Sequence, residues 1–305
     1  EYLLFTRLLF ERAEAERQRP NPDYAAIIDL LNRISPGALS TKPTTFTGKE
    51  GKQQEGMSDR ERWYSLMTQA MQKKGDYMGC REMAVEALQQ LPAFHFNNDI
   101  WLKRRQAIAE THLHRVPEAL ELYQDIYQRK KDWFIAKELA TLYHYQENAP
   151  MALAYAIEAA NASGKLQFKA DLFFLMGMQY DALEAPGMAD AHYAVYQELR
   201  REAGWKIPEK RQEVLENRGI DYTTMQSPLQ KRLHALSKQW QEDLVTYSPN
   251  KRYNGYIHKI LHEGRNGDGF VKTAQGKGYY FRSQHILNAN GTPPEGAKAT
   301  FELKD

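Results

Sequence analysis

The sequence predicts a mainly α protein, in which a stack of helical hairpins (an α-solenoid) is followed by a small C-terminal antiparallel β-barrel. Two observations predict this fold class. A small residue recurs in the second helix of each predicted hairpin, with spacings of 39, 33 and 37 residues, at Cys80, Ala119, Ala152 and Ala189. From Tyr253 onward the hydrophobic period changes from 3.6 to 2, as it does where a chain passes from helices to strands.

Composition limits the classes of protein to consider. The chain of 305 residues is long enough for two domains, and its net charge of +2 means that any nucleic-acid site must depend on local charge. The single cysteine excludes an internal disulfide and is typical of a reducing compartment, so we predict a cytoplasmic protein. No apolar run reaches about 18 residues, and we therefore predict no membrane partner. Because the sequence lacks an initiator methionine, we expect it to begin inside a longer protein.

The first 58 residues predict two kinds of segment. Residues 1–40 are predicted to form N-terminal helices, among them the amphipathic stretch "DYAAIIDLLNRISPGAL", which ends at Pro36 and Gly37. Residues 41–58 contain almost no large apolar side chains, so we expect a mobile linker. Ser58 and Asp59 are placed to cap the helix that follows.

Residues 59–246 are predicted to hold the helical repeat and its trailing helices. Two antiparallel helices approach closely only where one offers a small side chain to a bulky one, and each hairpin must stack on another to cover its exposed face. The repeat also carries tyrosines, which are predicted to be core residues, with the lining of a binding groove as the alternative: Tyr123, Tyr143, Tyr180, Tyr193 and Tyr196.

A further helix is predicted after the repeats, in "SPLQKRLHALSKQWQEDLVTY". Ser227 would cap it and Pro228 would occupy its first turn. One face carries an apolar stripe, which we expect to dock on the helical stack: Leu233, Leu236, Trp240 and Leu244.

The repeat resembles the tetratricopeptide repeat, whose signature is W-x2-L-G-x2-Y, then A-x3-F-x2-A, then P. The chain departs from it at the tryptophan position, which is occupied by Tyr64, Lys103, Ala136 and Phe173. The resemblance implies a solenoid that presents a groove to a peptide or a protein partner.

The C-terminal segment, residues 250–305, contains four alternating runs separated by glycine and asparagine clusters. They are "YNGYIHKIL", "GDGFVKTA", "GKGYYFRSQHI" and "KATFELKD". Short alternating runs with tight turns predict a small antiparallel barrel.

These runs resemble a cold-shock domain, a five-stranded OB barrel that binds single-stranded RNA or DNA. The positions that match its strand motifs are Gly255, Ile257, Gly267, Gly269, Phe270, Val271, Tyr279, Tyr280, Phe281, Ile286, Glu295, Gly296, Phe301, Glu302 and Leu303. The last strand expected of such a barrel is not among the four runs.

Alternation and this resemblance together nominate a nucleic-acid-binding face. Its candidate residues supply rings on which bases can stack and cations for phosphates: His258, Lys259, Phe270, Lys272, Tyr280 and Arg282. Residues 250–305 carry nine basic and five acidic side chains, an excess of four positive charges. Asp268 is expected on the same face as Phe270, where its carboxylate would repel a phosphate backbone.

No motif in the sequence indicates catalysis, a metal site or a cofactor. The histidines form no H-E-x-x-H pattern, no phosphate-binding glycine loop is present, and Cys80 occupies a helix-packing position. We therefore predict a non-enzymatic protein without a cofactor or metal.

The sequence favours an adaptor that binds a protein through the solenoid and single-stranded nucleic acid, RNA rather than DNA, through the barrel. Two alternatives stay open. One is a structural or regulatory protein-interaction scaffold without nucleic-acid binding, and the other is the recognition region of a larger effector enzyme. The oligomeric state is not encoded in any motif.

Overall fold

The computed structural model describes residues 2–48, 51–247, 252–261, 267–273, 276–283, 286 and 293–303. The chain divides into two compact units, Glu1–Arg129 and Lys130–Asp305. The division falls inside the helical repeat, whereas the sequence suggested boundaries near residues 40, 58 and 250.

The first unit contains six helices and a two-stranded hairpin among its described residues. They are α1 (Tyr2–Arg17), α2 (Tyr24–Asn32), β1 (Thr44–Thr47), β2 (Gln53–Gly56), α3 (Asp59–Lys74), α4 (Tyr77–Gln90), α5 (Asn98–His112) and α6 (Val116–Arg129). Ser58 caps α3 as the sequence predicts, because its hydroxyl accepts from the backbone N–H of Glu61.

The second unit contains six helices and a four-stranded sheet among its described residues. They are α7 (Trp133–Tyr145), α8 (Ala149–Asn161), α9 (Ala170–Ala182), α10 (Pro186–Glu202), α11 (Glu209–Asn217), α12 (Leu229–Tyr247), β3 (Arg252–Ile260), β4 (Gly269–Thr273), β5 (Gly278–Phe281) and β6 (Lys298–Glu302).

The helical repeat is confirmed by four hairpins, α3/α4, α5/α6, α7/α8 and α9/α10, whose two helices contact each other. The recurring small residue of each second helix is fully buried, at Cys80, Ala119, Ala152 and Ala189. The repeat tyrosines are buried as well and belong to the core, as the favoured interpretation expected: Tyr123, Tyr143, Tyr180, Tyr193 and Tyr196.

The same turn joins the two helices of every hairpin. It places a left-handed residue after the first helix, at Gly75, His114, Glu147 and Glu184. After Glu147, for example, the N–H of Asn148 donates to the carbonyl of Tyr143 and that of Glu147 to His144, which is the Schellman pattern. Each of these left-handed residues lies five positions before the buried small residue, so turn and packing repeat together.

Close packing within the last hairpin depends on a glycine. A Cβ atom built on Gly177 of α9 would lie 2.6 Å from the ring of Tyr193 on α10. Real Cβ atoms do not approach a carbon so closely, so any side chain at position 177 would separate the two helices.

The segment expected to be a mobile linker contains the hairpin β1/β2, which pairs Thr44 with Gly56. Its turn uses a left-handed glycine, Gly51, and the ring of Phe46 lies 6.4 Å from that of Phe96 between centroids. These strands were not predicted because the segment has few large apolar residues. Strand β1 consists of three threonines and Phe46, whose ring makes the one aromatic contact described above.

Helix α12 docks on the second unit through its apolar stripe, as predicted. Leu236, Trp240 and Leu244 are buried, Leu233 is partly buried, and α12 contacts both α8 and β3.

The four predicted C-terminal strands are all present and antiparallel, in the order β5-β4-β3-β6. The described strands form an open sheet, with β5 and β6 at its two edges, and no described strand closes it into the predicted barrel. The inner face carries buried Ile257 and Val271 and a ring cluster of Tyr253, Tyr279 and Phe301, with centroids 5.6–6.3 Å apart.

Candidate functional site

The outer face of the C-terminal sheet brings most of the predicted nucleic-acid-binding residues together. Residues directly opposite each other on paired strands share a face, and Phe270 of β4 lies opposite both Lys259 of β3 and Tyr280 of β5. Lys272 lies two residues beyond Phe270 on the same face. The predicted alternation of β4 is therefore confirmed.

Phe270 and Tyr280 form the aromatic centre of this face. Their ring centroids are 5.6 Å apart at an interplanar angle of 65°, an edge-to-face pair. The two residues remain 37% and 45% exposed, so each ring keeps surface available to a ligand. Neither ring is buried in the sheet core.

A register shift between Ile257 and Lys259 places one extra residue in β3. The extra residue is His258, and both His258 and Lys259 are exposed. Such a bulge allows two consecutive side chains to reach one solvent face. Sequence alternation alone could not have revealed this, because it requires one of two neighbours to face inward.

Two further residues belong to the outer face and were not predicted from the sequence. Tyr256 is 39% exposed, and it lies opposite Lys272 on β4 and Lys298 on β6. The signal for Tyr256 was its spacing of two residues from His258, whose ring centroid is 6.3 Å away. Lys298 could be placed only once the pairing of β3 with β6 was known.

Acidic groups near this face are engaged by the sheet itself. Asp268 accepts the hydroxyl of Tyr280 at 2.5 Å and the N–H of Ser283 at 2.7 Å, and Glu295 accepts the N–H of Ile260 at 2.8 Å. By contrast, Lys259, Lys272 and Lys298 make no ion pair within the part of the chain that the structure describes. Among the described residues, the outer face therefore presents lysines that have no ion-pair partner.

Asp268 positions Tyr280 in addition to carrying a charge. The hydrogen bond from Tyr280, followed by the one from the Ser283 backbone, lowers the pKa of Asp268 below its ordinary value. The charge of exposed Arg282 acts in the same direction. From the sequence, Asp268 was expected only to repel phosphate, whereas its carboxylate accepts the hydroxyl of Tyr280 and so holds one of the stacking rings in place.

A buried polar network fixes α12 to the hairpin α9/α10. The indole N–H of Trp240 donates to His192 Nε2 at 2.9 Å, so the ring proton must be on Nδ1, which donates to the carbonyl of Met188 at 2.6 Å. Beside it, Tyr180 donates its hydroxyl to Asp243. Burial lowers the pKa of His192 to about 4, so the imidazole is neutral at pH 7.

Other groups with displaced pKa values are also enclosed by helix packing. Burial lowers the pKa of Lys169 to about 8, and its ammonium donates to the carbonyls of Ala160 and Ala162 at the end of α8. Burial raises the pKa of Cys80 to about 11, and its thiol donates to the carbonyl of Thr68 at 3.3 Å. Both groups stabilise helix ends or helix contacts.

No cluster of three or more histidine, cysteine, aspartate or glutamate side chains suited to a metal ion lies in the described ranges. Within the same ranges, no helix combines the length and apolar character needed to cross a bilayer.

Helix α1 presents an apolar surface to solvent. Its inner side contributes Leu9, Phe10 and Ala13 to the core of the first unit. On its other side, Leu4 and Leu8 are 69% and 59% exposed, and Phe5 beside them is 48% exposed. We call Leu4, Phe5 and Leu8 the α1 apolar surface. Large apolar side chains grouped in this way are typical of surfaces that contact another molecule.

Comparison with known proteins does not assign the chain to a family. No family model matches it, and no curated protein matches it.

Three solved structures show partial likeness to this chain at low identity. A structure titled "MamA MSR-1 C2" has a TM-score of 0.46 at 11% identity, covering 66% of this chain and 98% of that one. The C-terminal part of a TPR repeat-containing protein from Cytophaga hutchinsonii has a TM-score of 0.46 at 12% identity, covering 82% and 96%. BtubC from P. vanneervenii has a TM-score of 0.42 at 14% identity, covering 67% and 74%. Because all three TM-scores are below 0.5, these likenesses support no conclusion about this chain.

Proposed function

We propose that this chain is a protein-interaction scaffold built from tetratricopeptide-like helical hairpins, and that its α1 apolar surface contacts a protein partner. The observation that carries the proposal is the exposure of Leu4, Phe5 and Leu8 on one side of a helix whose other side is firmly packed. In a stack of helical hairpins each hairpin contacts only its neighbours, so the remaining faces of the stack stay exposed. For this reason such stacks generally serve as binding surfaces.

The scaffold proposal is tested by recovering a partner with the full chain and measuring its rebinding when purified. Burying a leucine at an interface contributes about 1.5–3 kcal/mol, so Leu8→Ser should weaken rebinding by about tenfold or more. Met78→Ser is the matched control, because Met78 is an exposed apolar residue (46%) on another helix of the same unit. It should leave the affinity within about twofold.

Two outcomes would contradict the scaffold proposal. One is that no recovered protein rebinds the purified chain. The other is that Leu8→Ser and wild type bind the partner equally. Sedimentation of the wild-type chain adds a third check, because self-association lost in Leu8→Ser would assign the α1 apolar surface to a second copy of the chain.

We propose as a second function that the outer face of the C-terminal sheet binds single-stranded nucleic acid, as the cold-shock resemblance implies. A specific observation favours it: the exposed Phe270–Tyr280 pair lies among lysines without ion pairs in the described residues. Rings can stack on unpaired bases and lysines can neutralise phosphates, and neither interaction requires a closed barrel.

Fluorescence anisotropy with a short labelled oligonucleotide tests this second function. Phe270→Ala and Tyr280→Ala should each cost about 1–3 kcal/mol of binding free energy, whereas Tyr280→Phe keeps the ring and most of the affinity. Tyr145→Ala is the control, since Tyr145 is an exposed tyrosine (63%) on α7. Affinity should also fall as salt rises. Equal affinity of wild type and the Phe270→Ala/Tyr280→Ala double variant would reject the site.

A further inference from the structure

A groove lies between α1 and α2 of the first unit. It encloses about 340 Å³ and is open to solvent. Its charged lining residues are Arg12, Arg19 and Arg33 against Glu16 and Asp29, and the rest of its lining is apolar. The groove thus offers apolar contact together with an excess of positive charge.

The groove and the α1 apolar surface share one face of α1. Four residues of this helix follow one another at spacings of four, four and three: Leu4, Leu8, Arg12 and Ala15. Side chains three or four residues apart lie on the same face of a helix, so this face passes from leucines into the groove. A partner that covers Leu4 and Leu8 therefore reaches the groove by extending along α1.

The carboxylates of α1 are engaged within the chain. Glu16 pairs with Arg19 at 2.8 Å and accepts the backbone N–H of Asp23 at 3.0 Å. Glu11 and Glu14 pair with arginines that do not line the groove. These acidic groups are therefore not available to the remaining arginines of the groove.

Two arginines of the groove carry a positive charge without a counter-ion. Arg12 of α1 and Arg33, directly after α2, are exposed, and neither side chain has a hydrogen-bond or ion-pair partner in the described part of the chain. Asp29 is the one carboxylate of the lining that has no such partner there. Two unpaired cations thus share the groove with one unpaired anion.

We propose that the α1 apolar surface and this groove together bind an acidic amphipathic helix of a protein partner, with its carboxylates on Arg12 and Arg33. This inference rests on the proposed scaffold function and adds the chemical class of the partner. A groove between two packed helices accepts the side chains of a third, whose anchors recur at i, i+3, i+4 and i+7. Apolar anchors fit the α1 apolar surface, and carboxylates about one turn further along fit the groove.

A second copy of this chain is a poorer occupant of the same surface. In a symmetric dimer both protomers present the same residues, so each copy would bring its own Arg12 and Arg33 to the interface. Like charges brought together at an interface weaken binding, whereas the carboxylates of another protein would strengthen it. Charge complementarity therefore favours a different, acidic partner.

The test selects binders of the full chain from a displayed library of helical peptides about 16 residues long. Each peptide carries leucines at i, i+3, i+4 and i+7, and the turns on either side hold glutamate, lysine, glutamine or alanine at random. We expect glutamate to predominate at the variable positions of the peptides that bind. A selected peptide with a fluorescent label should bind Arg12→Gln/Arg33→Gln about three- to tenfold more weakly than wild type, and with a smaller dependence on salt.

Lys73→Gln/Lys74→Gln is the matched control, because it removes two charges from exposed positions of α3 in the same unit and should bind the peptide like wild type. The proposal is overturned if no peptide binds, if glutamate is not preferred to lysine and glutamine, if Arg12→Gln/Arg33→Gln binds like wild type, or if sedimentation shows self-association that Leu8→Ser abolishes. The scaffold function is judged separately. Rebinding of the recovered partner that is weakened in Leu8→Ser but unchanged in Arg12→Gln/Arg33→Gln would keep the scaffold and reject the acidic helix.

Discussion

The role of a single side chain in this protein depends on the groups that it contacts. His192 illustrates this, because complete burial and the indole N–H of Trp240 keep its imidazole neutral at pH 7. Asp268 is a second case, in which an expected repulsive charge orients the ring of Tyr280. Neither role could be inferred from the sequence, since the partners are 48 and 12 residues away along the chain.

The depressed pKa of His192 predicts a pH dependence of stability. The unfolded state takes up a proton near pH 6.5 and the folded state near pH 4, so the unfolded state binds more protons between these values. The free energy of unfolding should therefore fall by about 3 kcal/mol as pH drops from above 6.5 to 4. Urea unfolding of wild type and His192→Gln at several pH values measures this contribution, which the variant should lack. His234→Gln, at an exposed position on α12, should unfold with the wild-type pH dependence, and an equal dependence in all three proteins would refute the assignment.

Gly177 predicts a second effect at the residue scale. Its Cβ would meet the ring of Tyr193, which is buried and whose hydroxyl donates to Asp181 at 2.8 Å, so the ring has little room to move. Gly177→Ala should lower the free energy of unfolding by about 1–3 kcal/mol despite the better helix propensity of alanine. Gly187→Ala, where a Cβ meets nothing within 4 Å, should be neutral or slightly stabilising. Thermal unfolding of both variants decides the matter, and similar stabilities would show that the close approach is unimportant.

At the scale of elements, the hydrophobic periodicity of the sequence predicted the helices and strands well. It could not predict which elements pair with each other. The four alternating C-terminal runs are all strands, and the apolar stripe of Trp240 and Leu244 does dock α12. The hairpin β1/β2 was missed because threonine-rich strands with one aromatic residue leave little hydrophobic signal. Lys298 was missed because only the pairing of β3 with β6 places it on the outer face, and Tyr256 was missed although its spacing of two residues from His258 indicated that face.

The turn shared by the four hairpins was also not predicted from the sequence, because only the first of these turns has a glycine, Gly75, at the left-handed position. At His114, Glu147 and Glu184 a residue with a Cβ adopts the left-handed conformation, which costs about 1 kcal/mol relative to glycine. Glu147→Gly should therefore raise the free energy of unfolding by about 0.5–1 kcal/mol. Glu138→Gly, inside α7, should lower it by about 1 kcal/mol. Chemical unfolding of the two variants separates them, and destabilisation by both would mean that the turn gains nothing from glycine.

At the scale of the whole molecule, the groups that could bind a partner lie on exposed surfaces. The sheet's outer face offers rings and cations, and the α1 apolar surface offers leucine and phenylalanine side chains. The sequence located the first surface in outline, because strand alternation is local.

Hydrogen exchange of the full chain, alone and with the recovered partner, tests the scaffold function most directly. Backbone amides of α1 should exchange more slowly in the complex, because a partner on Leu4, Phe5 and Leu8 would suppress fraying of that helix. Helix α7, which carries exposed Tyr145, serves as the internal reference and should exchange as it does in the free chain. Protection confined to β3–β6, or equal exchange of α1 with and without the partner, would contradict the proposed scaffold surface.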